Sequence, residues 1–244
     1  MSRTCAQRSL VSRILIPSSK ATDWRPLLAS PNTQWQKRYS ARAAALSWTA
    51  AKGLPPEIAG LFPEGAELLF AAPEWKTPLP GGRRESQTDI FCLLGLADGL
   101  AAVAVEAKVD EPFGPTLSEW LVDASPGKLE RLAAIQALIG ATEPFDGAIR
   151  YQLLHRTASA LIQARRFRAT EAAMIVQSFS DERRWIDDFR LFVSALGGTA
   201  QPGQPIIVTA GDGVRLRLGW AQGDTRFSKQ EYGPGTDWEL AGKR

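Results

Sequence analysis

Two cysteines, one histidine and two methionines in 244 residues leave little room for thiol or soft-metal chemistry. Cys5, Cys92 and His155 cannot furnish the ligand set of a structural zinc site. A Ser-His-Asp triad is excluded unless His155 serves it. One disulfide is the arithmetic maximum, and Cys92 lies in an apolar, strand-like run, so a chain kept reduced in the cytoplasm is the simpler reading. No apolar run approaches the roughly 20 residues that span a bilayer. Internal repeats are missing, as is any helix-turn-helix or zinc-finger pattern that would read bases. An excess of one charge is lacking too: 29 Lys and Arg against 26 Asp and Glu leave a net +3, which permits a polyanionic partner without requiring one.

What is present fits a folded globular chain. Apolar residues make up 44% and charged residues 23%, the balance of a protein that buries a core, and the length suits one large domain. Residues 1–20 hold Arg3, Arg8, Arg13 and Lys20 but no acid. The apolar run ILI at 14–16 is too short for a secretory signal, so this segment reads as a leader entering a first strand at about 12–16.

The pattern then predicts a short helix in ATDWRPLLAS, capped near Thr22 or Asp23. A second follows in SARAAALSWTAAKG, with Ser40 as N-cap and Gly53 as the stop. PPEIAGLF opens another helix at its Pro-Pro pair. AELLFAAPEW (66–75) reads as a strand ended by Pro73, and KTPLPGGRRE as a loop. Further on, SPGKLERLAAIQALIG predicts a helix capped by Ser125 with Pro126 in its first turn, its recurring residues being Leu129, Leu132, Ala133 and Gln136. A longer helix over 150–167 carries a stripe of Tyr151, Leu154, His155, Ala158, Leu161 and Ile162. EAAMIVQSFS is a strand, ERRWIDDFRLFVSALGG a helix, and PIIVTAGDGVRLRLGWAQG a hairpin, followed by a polar, loosely ordered tail from about 222. Helices, a hairpin, then helices alternating with strands predict one α/β domain over 1–244, a mixed sheet with helices on its faces.

The chemistry concentrates in SQTDIFCLLGLADGLAAVAVEAKVDEPFG, residues 86–114. Asp98-Gly99 is a strong two-residue turn signal. With that turn, Ala97 pairs with Leu100, Asp89 faces Lys108, and Glu106 is the diagonal neighbour. All three share one face because strand side chains alternate. Two carboxylates beside a lysine suit a hard divalent cation such as Mg²⁺ or Mn²⁺, which takes oxygen ligands and completes its shell with water and phosphate. The ammonium can orient a nucleophilic water or offset developing negative charge. The plain alternative is a strand-end ion pair between Asp89 and Lys108, worth about 0–1 kcal/mol.

Asp89, a hairpin and then VEAK resemble the PD-(D/E)XK nuclease superfamily, carried by TDIFCLL and VAVEAKVDE, with YQLLHRTASALI resembling the helix beside the site. The resemblance spans the middle of the chain, about 40–180, and leaves an N-terminal strand and helix extension and a C-terminal hairpin outside. It implies a restriction-endonuclease-like fold with the order helix, three strands, helix, strand. It implies a metal-dependent phosphodiester hydrolase acting on nucleic acid, DNA in first place, and is compatible with a homodimer. Asp89 and Glu106 would hold Mg²⁺ or Mn²⁺, and Lys108 would position the attacking water. Thr88 stands where the family has proline. An upstream acid is also implied, with Glu57 the first candidate and Glu85 the second, although Glu57 at a helix start equally suits the macrodipole. Asp110 and Glu111 are outer-shell candidates or solvated charges, and Gln152 is a polar residue its helix could aim at the site. The same fold without catalysis, serving as a binding or regulatory module, is the alternative; an unrelated α/β scaffold is the third.

His155 reads as a satisfied core histidine before a catalytic one. Arg83-Arg84, Arg165-Arg166-Arg168 and Arg183-Arg184 read as solvated faces able to meet phosphates. Trp24, Trp35, Trp48, Trp75, Trp120 and Trp185 read as packing residues. AGDGV near 210 is a hairpin turn and not a phosphate loop, because no helix follows it.

Overall fold

The computed structural model describes residues 20–229. The strand expected at 12–16, Cys5 and the tail beyond 229 lie outside those residues. A 3-10 helix, Ala21–Leu27, leads into α1 (Pro31–Gln34), α2 (Ser40–Ala51) and α3 (Pro56–Ala59). An antiparallel meander follows: β1 (Glu67–Thr77), β2 (Ser86–Leu96) and β3 (Gly99–Lys108). Then come α4 (Leu117–Leu121), α5 (Pro126–Ile139), α6 (Tyr151–Phe167), β4 (Glu171–Ser178), α7 (Ile186–Ser194), the antiparallel pair β5 (Ile206–Thr209) and β6 (Arg215–Gln222), and α8 (Arg226–Lys229). The sheet order is β1-β2-β3-β4-β6-β5, with β4 parallel to both β3 and β6. The protein is a mixed α/β structure with helices on both faces of one six-stranded sheet. No described helix is long and apolar enough to cross a membrane.

Strand alternation divides the core in two. Ala101, Val103, Val105 and Ala107 of β3 point to a cluster with Ala43, Leu46 and Trp48 of α2 and Ile58 of α3. Ala102 and Ala104 point to the other, with Leu154, Ala158 and Leu161 of α6 and Phe189 and Phe192 of α7. Because both faces are covered, the central strands read as near-continuous apolar runs.

Several expectations are corrected here. Pro73 does not end β1: it sits inside the strand, opposite Ile90. Since β1 is an edge strand, a missing N–H can face outward without breaking a ladder bond. Tyr39, not Ser40, is the N-cap of α2, and the left-handed residue closing that helix is Lys52 (φ 52°) rather than Gly53. Lys20 caps the first helix, its backbone N–H held by Asp23 at 3.2 Å. The buried stripe of α5 is Arg131, Ile135, Leu138 and Ile139, while Leu129 is exposed.

The hairpin turn also moves. Leu96 pairs with Gly99 and Ile90 with Val105, so Ala97 and Asp98 form the loop and the positive φ (145°) falls on Gly99. The register differs by two residues from the Asp98-Gly99 expectation. A slip of one would turn every side chain to the opposite face; a slip of two preserves the face and changes only the partner. Thr170 explains glycine at this position: a Cβ on Gly99 would lie 2.5 Å from its Oγ1.

Candidate active site

Continued by one residue, the Ile90–Val105 register sets Asp89 opposite Glu106 on β3. On its other side, the pairs Pro73–Ile90 and Trp75–Thr88 bracket Glu74 and Asp89, setting those two opposite each other. Three carboxylates therefore lie in a row across three adjacent strands. Glu74 has a positive φ of 53° in the interior of its strand, a conformation costly for a residue with a Cβ. All three line one cavity of about 350 Å³, together with Lys108, Glu111, Gln152 and Arg156.

Glu106 is the most tightly held. Its Oε1 accepts from Lys108 Nζ and Gln152 Nε2, both at 2.7 Å, and its Oε2 from Arg156 Nε at 2.6 Å. Glu106, Lys108 and Arg156 are 2%, 4% and 7% exposed. Burial alone would raise the Glu106 carboxyl, but the Arg156 and Lys108 cations outweigh it and hold the group at about 2. Lys108 is further fixed by the Phe113 ring, 5.1 Å below its ammonium.

Asp89 behaves oppositely. It is partly exposed at the cavity, and its Oδ2 accepts a 2.8 Å bond from the Ala107 N–H. Burial and the neighbouring Glu106 and Glu74 charges push its carboxyl well above the ordinary range, against the pull of Lys108 and Arg156. Glu74 is raised as well, first by burial, although Gln87 Nε2 donates to its Oε2.

Behind Arg156 runs a polar relay. Arg156 Nη1 donates to Ser86 Oγ at 2.9 Å, and Ser86 Oγ lies 2.8 Å from His155 Nδ1. Arg156 Nη1, which can only donate, also lies 3.4 Å from Nδ1, an arrangement that suits an unprotonated Nδ1 accepting from the Ser86 hydroxyl, with the ring proton assigned to Nε2. Burial, reinforced by the Arg156 charge, pushes His155 down to about 3, so the ring is neutral. His155 is thus hydrogen-bonded and uncharged, on the α6 stripe where the periodicity placed it.

The cavity brings together Asp89, Glu106, Lys108, Glu111 and Gln152, and leaves out both upstream candidates. Glu57 lies on the opposite face of the sheet: its Oε1 accepts from Gln177 Nε2 at 2.7 Å, and Gln177 also meets Trp48 on α2. A four-residue helix ahead of β1 cannot reach across the sheet to Glu106. Glu85 is exposed and borders a neighbouring cavity. Glu111 caps α2, accepting from the Ser40 N–H at 2.9 Å and the Val109 N–H at 3.2 Å, a favourable place for negative charge. Asp110 instead pairs with Arg38 at 2.8 Å and Arg184 at 3.4 Å. Lys108 pairs with Glu106 and not with Asp89, which removes the simple strand-end bridge. Sequence reading missed Glu74, Ser86 and Arg156. Glu74 follows Pro73, which reads as a strand end, and Arg156 sits one residue beyond the helix stripe.

Among the described residues no group of three or more His, Cys, Asp or Glu forms a metal cage. Mg²⁺ does not need one, since one or two carboxylates plus water and substrate phosphate suffice. Asp89 and Glu106 fit such an ion. A carboxylate offers about four lone-pair positions. Glu106 uses three of them and Asp89 one. The crowding that disfavours ionised Asp89 is what a dication would reverse.

Residues 17–225 match the family model described as "Domain of unknown function (DUF6946)", and the chain belongs to that family. No curated protein and no solved structure matches the chain.

Proposed function

We propose that the protein is a metal-dependent phosphodiester hydrolase acting on nucleic acid, with a PD-(D/E)XK-like site. The observation that carries this reading is the row Glu74–Asp89–Glu106 across three strands, facing one cavity with Lys108 beside it. The order α2, β1-β2-β3, α6, β4 supports it, being the helix, three strands, helix and strand that the resemblance implies; α3, α4 and α5 are interposed.

Asp89 and Glu106 would hold Mg²⁺ or Mn²⁺. When bound, such an ion clamps phosphoryl oxygens and lowers the pKa of a water. Lys108 Nζ, 2.7 Å from Glu106 Oε1, keeps donors free to orient the attacking water and to offset charge on the phosphoryl group. Arg156 and Gln152 hold Glu106 in place, so the carboxylate is oriented before substrate arrives. The water oxygen bonds to phosphorus, one P–O ester bond breaks, and the products are a phosphomonoester and an alcohol.

One observation favours a second reading, a non-catalytic module of the same fold: two buried cations already neutralise Glu106. Incubation of purified protein with plasmid, linear and single-stranded DNA and with RNA, with and without Mn²⁺, separates the two. Cleavage that needs metal and disappears in Asp89→Ala and Lys108→Ala supports the hydrolase. Cleavage surviving either substitution overturns the site, and binding without cleavage selects the module.

A further inference from the structure

A second cavity, of about 380 Å³, adjoins the first and shares Gln87 and Arg156 with it. Its charge is reversed. Arg84, Arg131 and Arg156 line it, and Glu85 is the one carboxylate in its wall among the described residues. Trp120 and Tyr151, stacked at 3.9 Å, supply an apolar side.

Arg131 is the informative residue. It is 8% exposed, its Nε donates to the Pro80 carbonyl at 2.9 Å, and its guanidinium lies beside the Tyr151 hydroxyl. Arg156 and Arg217 are similarly buried, but each is paired with a carboxylate, Glu106 and Glu171 respectively. Arg131 pairs with none among the described residues. A guanidinium stays charged and offers five donors, and burying one without a counter-ion costs several kcal/mol. The arrangement is also built. A Cβ on Gly81 would lie 2.2 Å from the Gly127 carbonyl oxygen and 2.6 Å from Arg131 N. Only glycine lets the 78–85 loop seat Pro80 on α5 and aim Arg131. Tyr151, also 8% exposed, adds a hydroxyl without a well-aligned partner among the described residues, although Arg131 lies beside it.

We propose that this cavity binds a phosphomonoester, the phosphorylated end of a polynucleotide strand, with Arg131 and Arg84 as its anion ligands. Arg156 is committed to Glu106 and Ser86, which leaves those two cations to meet an external group. A phosphomonoester carries about −1.5 to −2 at neutral pH and matches two guanidinium groups better than a singly charged diester. The burial of Arg131 points the same way: a chain end can reach into the cavity, whereas a continuous duplex backbone stays outside it. Through Arg156 the bound end lies beside the carboxylate row. The choice of a polynucleotide rests on the hydrolase reading, but phosphate capture does not.

Fluorescence anisotropy in EDTA tests this with internally labelled single strands bearing a 5′-phosphate, a 3′-phosphate or only hydroxyl ends. One phosphorylated strand is expected to bind about tenfold or more tightly than the hydroxyl-ended strand, with inorganic phosphate and a mononucleotide as competitors. The preference should vanish in Arg131→Met and in Arg84→Ala and survive in Asp89→Asn. Arg84 is exposed, so its truncation leaves the fold intact even if Arg131→Met does not. Equal binding of all three strands overturns the proposal, as does a preference that persists in folded Arg131→Met and in Arg84→Ala. Phosphate or mononucleotide binding with no end preference overturns the polynucleotide assignment in favour of a free nucleotide. Because EDTA removes any need for turnover, a phosphate-selective protein inert toward every nucleic acid would sink the hydrolase reading alone.

Discussion

Glu106 Oε2 lies 2.6 Å from Arg156 Nε, with both side chains more than nine-tenths hidden from solvent. Breaking such a buried pair from one side strands a charge and costs about 3–5 kcal/mol, well above the 0–1 kcal/mol of a surface bridge. Urea denaturation should therefore show large losses for Arg156→Met and for Glu106→Gln. The double variant should lose clearly less than their sum; strictly additive losses would show that the two are not coupled.

Asp89 predicts the opposite sign. Its folded-state carboxyl is raised by burial and by Glu106 and Glu74, so its favourable contribution is complete below the ordinary carboxylate range and is lost as pH rises through the raised value. Asp89→Asn retains an acceptor for the Ala107 N–H and sheds the charge. Thermal unfolding should find the variant as stable as the parent or more so, with the advantage widening as pH rises above the ordinary carboxylate range. Its metal-dependent cleavage should fall by more than the roughly 10–100-fold typical of an outer-shell change.

Metal alone should stabilise the protein if Asp89 and Glu106 hold it. Saturation to a hundredfold over Kd adds about 2.7 kcal/mol, visible as a rise in Tm with Mn²⁺ that Asp89→Asn abolishes. An equal rise in the variant would place the ion elsewhere.

His155 sets an acid limit. Its ring is held down from 6.5 to about 3, so between those values the unfolded chain takes up a proton that the folded chain refuses. The contribution of His155 is full above pH 6.5 and is lost as pH falls toward 3. His155→Gln should flatten that part of the profile; an unchanged slope would assign it to other groups.

At Gly99, φ is 145° and Thr170 closes off the Cβ position. Gly99→Ala should cost about 1–3 kcal/mol, and Thr170→Ala in the same chain should restore only the steric part.

Much of the fold was legible because its signals are local. Ser125 and Pro126 start α5, the stripe through Leu154, Ala158 and Leu161 marks α6, and β4 starts at Glu171 as expected, ending at Ser178, two residues before the expected limit. What was not legible depends on position in the sheet. Pro73 reads as a strand end until β1 is known to be an edge. The turn falls at Ala97-Asp98, and the need for glycine at 99 comes from Thr170, 71 positions along the chain, which fills its Cβ space. Asp89, Glu106 and Lys108 could be grouped from alternation alone, since a two-residue slip keeps their face. Glu74 could not, because its place opposite Asp89 is set by the β1–β2 pairing, and a linear pattern carries no trace of which strand lies next to which.

Pro73 has a last consequence, for assembly. The outer rim of β1 lacks a main-chain donor there and turns through positive φ at Glu74. A visiting strand could not zip along it in register, so that flank of the sheet resists growth into oligomers or fibres. The other flank is β5, whose four residues Ile206–Thr209 are too few for a long interface. Among the described residues, both flanks of the sheet therefore disfavour edge-to-edge pairing, which leaves helices and loops as the surfaces suited to contact between copies.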